Sequence, residues 1–154
     1  KTFSCYKFRT MKPEAKYILK KILIKNTNLK DEFTKTRKII NDPRITNIGK
    51  FLRFSSLDEL PQIINVFKGE MSFIGPRPIV KSEIKKYGND FRKAFSIKPG
   101  ISGLWQVSGR NKLSYQKRVE LDIFYSENIS FLLDIKIFIK TLMVLIIPFD
   151  NGAF

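Results

Sequence analysis

Two adjacent carboxylates, Asp58 and Glu59, lie within the segment SSLDELPQ, just ahead of a proline and an apolar run. Such a pair can supply a nucleophile with an acid–base partner, or it can hold a metal ion. The segment also fits a structural motif, because Ser56 and Glu59 have the spacing of a capping box at a helix start. Both acids would also favour the positive end of the helix dipole. Taken alone, the segment favours the helix-start interpretation.

Basic side chains flank this pair in short motifs with rigid or extended backbones. They are Lys7, Arg9, Arg53, Arg77 and Arg110. Arginine is suited to bidentate recognition of phosphate, and Arg77 lies between two prolines that restrict its backbone. A carboxylate among arginines could bind Mg²⁺ together with the phosphate oxygens of a substrate. Each of these basic residues, taken singly, is more typical of a solvated surface or an ion pair.

Composition narrows the chemistry further. The 154 residues contain no histidine and a single cysteine, which excludes His-based catalytic triads and an internal disulfide. The net charge of +15 is concentrated in residues 1–53 and would attract nucleic acid, anionic lipid head groups or phosphorylated substrates. The glycine-rich loops typical of P-loop and dinucleotide-binding proteins are absent.

The first third of the chain predicts a strand, two helices and a loop. Alternating aromatic and polar residues favour a strand over 2–9, and 12–25 reads as a basic amphipathic helix that could lie on anionic lipid. The polar segment 26–42 predicts a loop or a partly ordered insertion. Asp42 is a good N-cap for a short helix that ends near Arg53.

The remainder alternates helices with short extended pieces. The predicted elements are a helix from SSLDELPQ to its stop at Gly69, a brief strand in MSFIGPRP, helical structure over 79–95 with a break at Gly88, a glycine-rich shaped loop over 97–111, and helices over 114–128, capped by Ser114, and 130–147. No uninterrupted apolar stretch of about 20 residues is present. The prediction is a compact single domain of the α+β class, mostly helical, with a few short strands.

Four motifs in a fixed order connect the chain to a known family. They are YKFRTM (6–11), DPRITNIGKFLRFSSLDELPQIINVFKGEMSFIGPRP (42–78), KPGISGLWQVSGRN (98–111) and RVELDIFYSENISFLLDIKI (118–137). Together they strongly resemble the bacterial sugar transferases, which are monotopic polyprenyl-phosphate phosphoglycosyl transferases. The third motif resembles most the branch that transfers hexose-1-phosphate to begin exopolysaccharide, capsule or O-antigen synthesis. Only the lysine-rich part around 14–40 lies outside the resemblance.

The resemblance implies a reaction and roles for individual residues. A sugar-1-phosphate would pass from a UDP-sugar to undecaprenyl phosphate, with release of UMP. Asp58 would be the nucleophile that forms an aspartyl phosphosugar, and Glu59 would help to place Mg²⁺ or manage a proton of the acceptor. Asp58 and Glu59 would be the metal ligands. Arg53 and Arg77 would bind substrate phosphate.

Other residues of the family motifs receive weaker assignments. Lys7, Arg9, Arg110 and Asp122 would border the nucleotide or lipid-phosphate site. Trp105 and Tyr125 are expected to serve packing rather than chemistry.

The resemblance also implies a location. Members of the family act at the cytoplasmic face of the bacterial inner membrane and are monotopic, so anionic inner-leaflet lipid is an expected partner, and a homodimer is compatible with the sequence. The family carries an upstream re-entrant membrane helix and a short arginine/glycine motif. Neither lies within residues 1–154, so we expect a catalytic domain without that helix, with amphipathic helices 12–25 and 130–147 at the membrane interface.

Two alternatives come from other functional classes. The charge alone would suit a basic nucleic-acid-binding helical domain, but no nucleic-acid motif is visible and aromatic residues do not alternate with the basic ones, so no nucleic acid is expected as a partner. An inactive fragment bound to a membrane surface is the other alternative.

Overall fold

The computed structural model describes residues 2–36, 39 and 41–146, which divide into two compact units. The larger unit comprises residues 2–7 and 59–146, and the smaller unit comprises the described residues of 8–58. The helices of the smaller unit are α1 (Ala15–Lys25), α2 (Thr27–Thr36) and α3 (Asn47–Phe54). The larger unit contains α4 (Gln62–Phe67), β1 (Ser72–Ile74), α5 (Ile84–Tyr87), α6 (Phe91–Ala94), β2 (Gly100–Ser102), α7 (Leu104–Val107), α8 (Tyr115–Glu127) and α9 (Phe131–Ile146). These elements confirm the mostly helical α+β class.

In the smaller unit, α1 confirms the predicted basic helix, whereas the loop predicted over 26–42 is wrong for its first part. Helix α2 occupies Thr27–Thr36 and packs against α1. Its start has a local signal, because the side chain of Asn26 accepts a hydrogen bond from the amide of Leu29 at 3.1 Å. The sequence did not predict this helix because it contains few apolar residues and therefore shows no apolar periodicity. Residues 37, 38 and 40 of the same segment lie outside the described residues.

Helix α3 ends at Phe54, close to the predicted end, but Asp42 is not its N-cap. Thr46 caps the helix, accepting from the amide of Gly49 at 2.9 Å. The carboxylate of Asp42 instead accepts three side-chain hydrogen bonds from Arg44, at 2.6, 2.8 and 3.0 Å, and one from the Arg44 amide. The side chain of Arg44 therefore binds the carboxylate that an N-cap would offer to the backbone amides of a helix.

The strand predicted over 2–9 is wrong, since residues 2–10 belong to neither strand of the described chain. Alternation of residue types predicted an extended backbone, but a strand also needs a neighbouring backbone to pair with. In the larger unit, the side chain of Asn65 provides that partner by binding the carbonyl of Ser4 and the amide of Tyr6. In the smaller unit, Met11 forms an isolated antiparallel bridge with Ile45.

The single helix predicted from SSLDELPQ to Gly69 is also wrong at its start. A one-turn 3-10 helix covers Leu57–Glu59, and α4 begins at Gln62, after Pro61. The capping box at Ser56 does not form, because Ser56 has φ +57° and donates its amide to the carbonyl of Arg53. The predicted stop is confirmed: α4 ends at Phe67, and Gly69 follows with φ +70°.

The two short strands of the larger unit form a parallel pair. Ser72 aligns with Gly100 and Ile74 with Ser102, so the predicted strand in MSFIGPRP is confirmed. Helix α9 packs against both strands, and a hydrogen bond of 2.6 Å joins Ser102 to Thr141 of that helix. Parallel strands end at the same edge, so the turn after β1 lies beside the residue that follows β2: a Cβ atom at Gly103 would lie 2.3 Å from the carbonyl oxygen of Gly75.

A hydrophobic core joins α5, α6 and α8. Its buried members are Tyr87, Ala94 and Val119. Three aromatic rings pack against Tyr87 in edge-to-face arrangements: Phe91, Phe95 and Tyr115. Gly88 breaks the helical run with φ +54°, as predicted, and Ser114 caps α8 by accepting from the amide of Lys117.

Helix α9 confirms the last predicted helix and exposes much of its apolar surface. Its exposed large side chains are Phe131, Leu132, Ile135, Phe138, Ile139, Leu142, Met143 and Leu145. Ile137, on the opposite face, is buried. Among the residues that the structure describes, no helix has both the length and the apolar character needed to cross a membrane.

Candidate functional site

The carboxylate of Glu59 is the centre of a charged cluster in the larger unit. Lys7 donates to its Oε1 oxygen at 2.5 Å, and Nη2 of Arg77 lies 3.0 Å from the same oxygen. The side chain of Glu59 is 17% exposed, while those of Lys7 and Arg77 are 36% and 38% exposed. A mostly buried carboxylate is thus paired with two cations that remain open to solvent.

The two cations keep Glu59 ionised. Burial pushes the pKa of this carboxyl upward, but the charges of Arg77 and Lys7 and their hydrogen bonds outweigh burial, so the pKa lies below its ordinary value. Both cations bind Oε1.

The backbone around Arg77 is held by the end of the strand pair. The carbonyl of Pro76 accepts from the amide of Gly100 at 2.9 Å, and the amide of Gly75 donates to the carbonyl of Ser102 at 2.9 Å. Pro76 is buried, and Arg77 follows it directly. The turn is therefore ordered by main-chain bonds before any ligand arrives, as the two prolines predict.

Arg110 belongs to the same electrostatic neighbourhood. Burial lowers the pKa of its guanidinium, and the charges of Glu59 and Arg77 both act on it. Its Nε donates to the carbonyl of Gln106 at 3.2 Å. Its φ of +50° is unusual for a residue with a side chain, and such backbone strain clusters at functional sites. The structure thus brings together Lys7, Glu59, Arg77 and Arg110 of the predicted site residues.

The smaller unit contains Asp58, Arg53 and Arg9. Asp58 is half-buried, and its backbone carbonyl accepts from the amide of Phe8 at 2.9 Å. Arg53 is half-buried and donates from Nε to the hydroxyl of Thr10 at 2.9 Å, which fixes one edge of its guanidinium. Arg9 is exposed.

Asp122 lies apart from the charged cluster, in the core beneath α8. Its side chain is 1% exposed and accepts from the hydroxyl of Tyr87 at 2.7 Å through Oδ2. Oδ1 is buried without a hydrogen-bond partner among the described atoms. Burial raises the pKa of Asp122 to about 7, although the Tyr87 hydrogen bond opposes this. No contact in the described chain joins Asp122 to Glu59 or Arg77, and its assignment to a substrate site stays a prediction.

Trp105 and Tyr125 pack as predicted. Both are buried, and the guanidinium of Arg118 lies over the Trp105 ring, 4.8 Å from its centroid. The hydroxyl of Tyr125 donates to Asp134 at 2.6 Å.

Sequence reasoning missed two residues that organise these regions. Asn65 is fully buried in α4 and binds the segment that carries Lys7, and Tyr87 is the partner of Asp122. Asn65 had a weak signal, because it is a polar residue inside the apolar run QIINVF. The role of Tyr87 had none, since its partner lies 35 residues away.

The donor set limits what metal the protein could hold. In the part of the chain that the structure describes, no three Asp, Glu, His or Cys side chains gather into a group suited to a metal. Mg²⁺ needs no such group, because it binds through one or two carboxylates and takes its other ligands from water and substrate phosphates. The carboxylate of Glu59 is an oxygen ligand of that kind.

Comparison with known proteins identifies the family. The model of the bacterial sugar transferase family matches residues 1–148. An uncharacterized sugar transferase of Haemophilus influenzae is 49% identical over 95% of this chain, and an undecaprenyl-phosphate galactose phosphotransferase of Salmonella typhimurium is 47% identical over 95%. The exopolysaccharide production protein ExoY of Sinorhizobium fredii is 45% identical over 92%.

The chain matches only part of each relative. It spans 31% of the Haemophilus and Salmonella proteins and 62% of ExoY. The matched part nevertheless includes nearly every residue of this chain and all of its predicted site residues. The chain belongs to the bacterial sugar transferase family.

Proposed function

We propose that this chain is the catalytic part of a phosphoglycosyl transferase that moves a sugar-1-phosphate from a UDP-sugar to undecaprenyl phosphate and thereby initiates exopolysaccharide, capsule or O-antigen synthesis. The observation that carries the proposal is the Glu59 cluster, where Lys7 and Arg77 surround a mostly buried carboxylate that directly follows Asp58 in the chain. Membership of the family supports the reaction class.

In the first step, a carboxylate oxygen of Asp58 forms a bond to the phosphorus that carries the sugar. The bond from this phosphorus to the bridging oxygen breaks, and UMP leaves with the electron pair. In the second step, a phosphate oxygen of undecaprenyl phosphate attacks the same phosphorus and the bond to Asp58 breaks. Covalent catalysis of this kind divides one difficult transfer into two easier ones.

The basic residues have the task of reducing charge repulsion. A carboxylate that approaches a diphosphate is repelled, so cations fixed in advance near the phosphates lower the barrier. Arg77, held in its turn, and Arg110 would bind phosphate in the larger unit, and Arg53 would do so in the smaller one. Lys7 would keep Glu59 ionised.

Mg²⁺ is the cofactor that we propose, with Asp58 and Glu59 as its protein ligands. When bound, the ion would neutralise negative charge on the phosphate oxygens. Glu59 would also orient the acceptor phosphate or take its proton.

The site of action that we propose is the cytoplasmic face of the inner membrane, where the protein would contact anionic lipid without crossing the bilayer. The exposed apolar side chains of α9 support this in the larger unit, and the lysines of α1 support it in the smaller one.

The proposal is tested by Mg²⁺-dependent release of UMP from UDP-sugars and undecaprenyl phosphate, with the full natural protein. The panel begins with UDP-galactose, because the Salmonella relative is named for galactose. Asp58→Asn should abolish UMP release, since an amide is a poor nucleophile. Without acceptor, the wild-type protein should gain the mass of one sugar phosphate on Asp58.

The control is Asp90→Asn, which removes a carboxylate from an exposed ion pair with Lys93 and should leave UMP release unchanged. If Asp58→Asn remains active and only loses about 1 kcal/mol of stability, Asp58 has a structural role at the helix start and the proposal is wrong.

A further inference from the structure

Asn65 is engaged at every polar atom of its side chain. Oδ1 accepts from the amide of Tyr6 at 3.0 Å, and Nδ2 donates to the carbonyl of Ser4 at 2.8 Å and to the carboxylate of Glu70 at 2.7 Å. The residue is 0% exposed. Its backbone carbonyl accepts from the amides of Glu70 and Met71, which fixes the position of Asn65 itself.

The two bonds to Ser4 and Tyr6 reproduce those of a neighbouring strand. The carbonyl of residue i and the amide of residue i+2 point to the same side of an extended chain, and one side-chain amide can bind both. Because residues 2–7 belong to neither strand, they lack the ladder of main-chain bonds that would hold a strand in register. Asn65 replaces that ladder at one point.

The next residue along the segment is Lys7, the partner of Glu59. An ion pair of an exposed lysine is typically worth only about 0–1 kcal/mol, because its Coulomb energy is opposed by the loss of side-chain freedom. The pair would be weaker still if the backbone carrying the lysine were free to move. Asn65 holds the backbone of Tyr6, one residue before Lys7. A fixed backbone there increases the fraction of time that the ammonium group spends at Glu59.

We propose that Asn65 is a positioning residue, which places Lys7 against Glu59 by holding the backbone of Ser4 and Tyr6. It touches neither substrate nor metal and acts through Lys7. The proposal rests on the proposed function only in treating the Glu59 cluster as part of the active site. The placement of Lys7 can be measured without any substrate.

Direct removal of the Asn65 side chain is a poor test. Asn65→Ala would leave the carboxylate of Glu70 and two backbone groups without their partner and is expected to disturb folding. The contact is better removed at its other partner, the backbone of Tyr6. Tyr6→Pro removes the amide that donates to Oδ1, and proline is compatible with an extended backbone. Tyr6 is 37% exposed, so its substitution creates no cavity in the core.

Tyr6→Ala is the matched control. The Tyr6 ring and hydroxyl contact Lys68, with the ammonium 2.6 Å from the hydroxyl and 4.7 Å from the ring centroid. Both variants lose these contacts, but only Tyr6→Pro loses the amide. A difference between the two variants therefore reports two effects: the lost hydrogen bond to Asn65 and the stiffer backbone of proline. The stiffer backbone favours the same extended conformation that this segment already has.

The measurement is the mobility of the Lys7 side chain, followed by ¹³C NMR relaxation at its Cε carbon. Glu59→Gln removes the charge that holds the ammonium group and should make the Lys7 side chain more mobile. Tyr6→Pro should raise this mobility in the same direction and Tyr6→Ala should leave it unchanged. The double variant Glu59→Gln/Tyr6→Pro should match Glu59→Gln alone, because both changes remove the same interaction.

Equal mobility of the Lys7 side chain in Tyr6→Pro and Tyr6→Ala would overturn the proposal, as would additive effects in the double variant. Neither result depends on catalytic turnover. If Asp58→Asn proved active, the proposed function would be wrong, but the test of the positioning role would still be valid. Conversely, the positioning role can fail while Asp58 remains the nucleophile.

Discussion

At the scale of single residues, two buried carboxylates of the larger unit respond oppositely to their surroundings. Glu59 has two cations at one oxygen, which hold its pKa below the ordinary value. Asp122 has only the hydroxyl of Tyr87, and its second oxygen is buried without a hydrogen-bond partner in the described chain. Ionised Glu59 therefore stabilises the fold at neutral pH, and this contribution is lost as the pH falls. Ionised Asp122 destabilises the fold.

This contrast predicts how Asp122 makes the free energy of unfolding depend on pH. The pKa of about 7 exceeds the ordinary value of 3.8, so between these two values the folded state binds more protons than the unfolded state. The free energy of unfolding must then fall as the pH rises from about 4 to 7. Relative to Asp122→Asn, which cannot ionise and still offers an oxygen to Tyr87, the wild type should lose up to about 4 kcal/mol across this window.

The measurement is urea unfolding of both proteins at several pH values from 4 to 8. Glu120→Gln is the control on the same helix, because Glu120 is half-exposed and pairs with the exposed Lys117. Its curve should run nearly parallel to that of the wild type. Parallel curves for Asp122→Asn would show that Asp122 is ionised in the folded protein at low pH, contrary to this prediction.

At the scale of elements, the parallel strand pair depends on close approach of two backbones. A Cβ atom at Gly100 would lie 2.1 Å from the amide nitrogen of Gly75 and 2.5 Å from the carbonyl oxygen of Ser102. Both contacts are with backbone, which cannot move aside as a side chain could. This close approach sets the turn that carries Arg77, so the charged cluster depends on a residue without a side chain.

Gly100→Ala should therefore be strongly destabilising, by more than about 2 kcal/mol, because the strands must separate. Gly88→Ala is the contrasting variant: Gly88 has φ +54°, and nothing lies within 4 Å of its added Cβ. Only backbone strain applies there, at a cost of about 1–2 kcal/mol. Chemical denaturation measures both, and a smaller loss for Gly100→Ala than for Gly88→Ala would contradict the steric explanation.

At the scale of the whole molecule, charge and apolar exposure combine. The chain has a net charge of +15, and α9 exposes a row of large apolar side chains with Lys136 and Lys140 among them. Contiguous apolar surface of this kind is characteristic of a protein or membrane contact. Positive charge attracts anionic head groups and is screened by salt.

Binding to phosphatidylglycerol vesicles should consequently weaken as the salt concentration rises. Phe138→Ser should weaken this binding by about tenfold, because the variant loses part of the free energy of burying a Phe side chain. Phe124→Ser is the matched control, because Phe124 is 52% exposed on α8 and Phe138 is 53% exposed on α9. Vesicle sedimentation measures both variants. Equal weakening by the two would mean that α9 does not make the contact.

Sequence by itself determined the features whose causes are local. The Ser114 cap of α8, the glycine at the end of α4 and the prolines around Arg77 act within a few residues, and these predictions were confirmed. The ordered motifs led to the family. The cap of α3 and the helix α2 were missed although their signals are local, because Asp42 competed with Thr46 and because α2 is nearly devoid of apolar residues.

Only the tertiary structure decided which groups meet. Glu59 pairs with Lys7, 52 residues away, rather than with the backbone of Ser56, and Asn65 takes the place of a strand beside Ser4 and Tyr6. Asp122 is bonded to Tyr87 in the core. The physical reason is common to all three: a polar side chain that is buried takes the partner that packing brings within about 3 Å, and a residue pattern along the chain does not encode that distance.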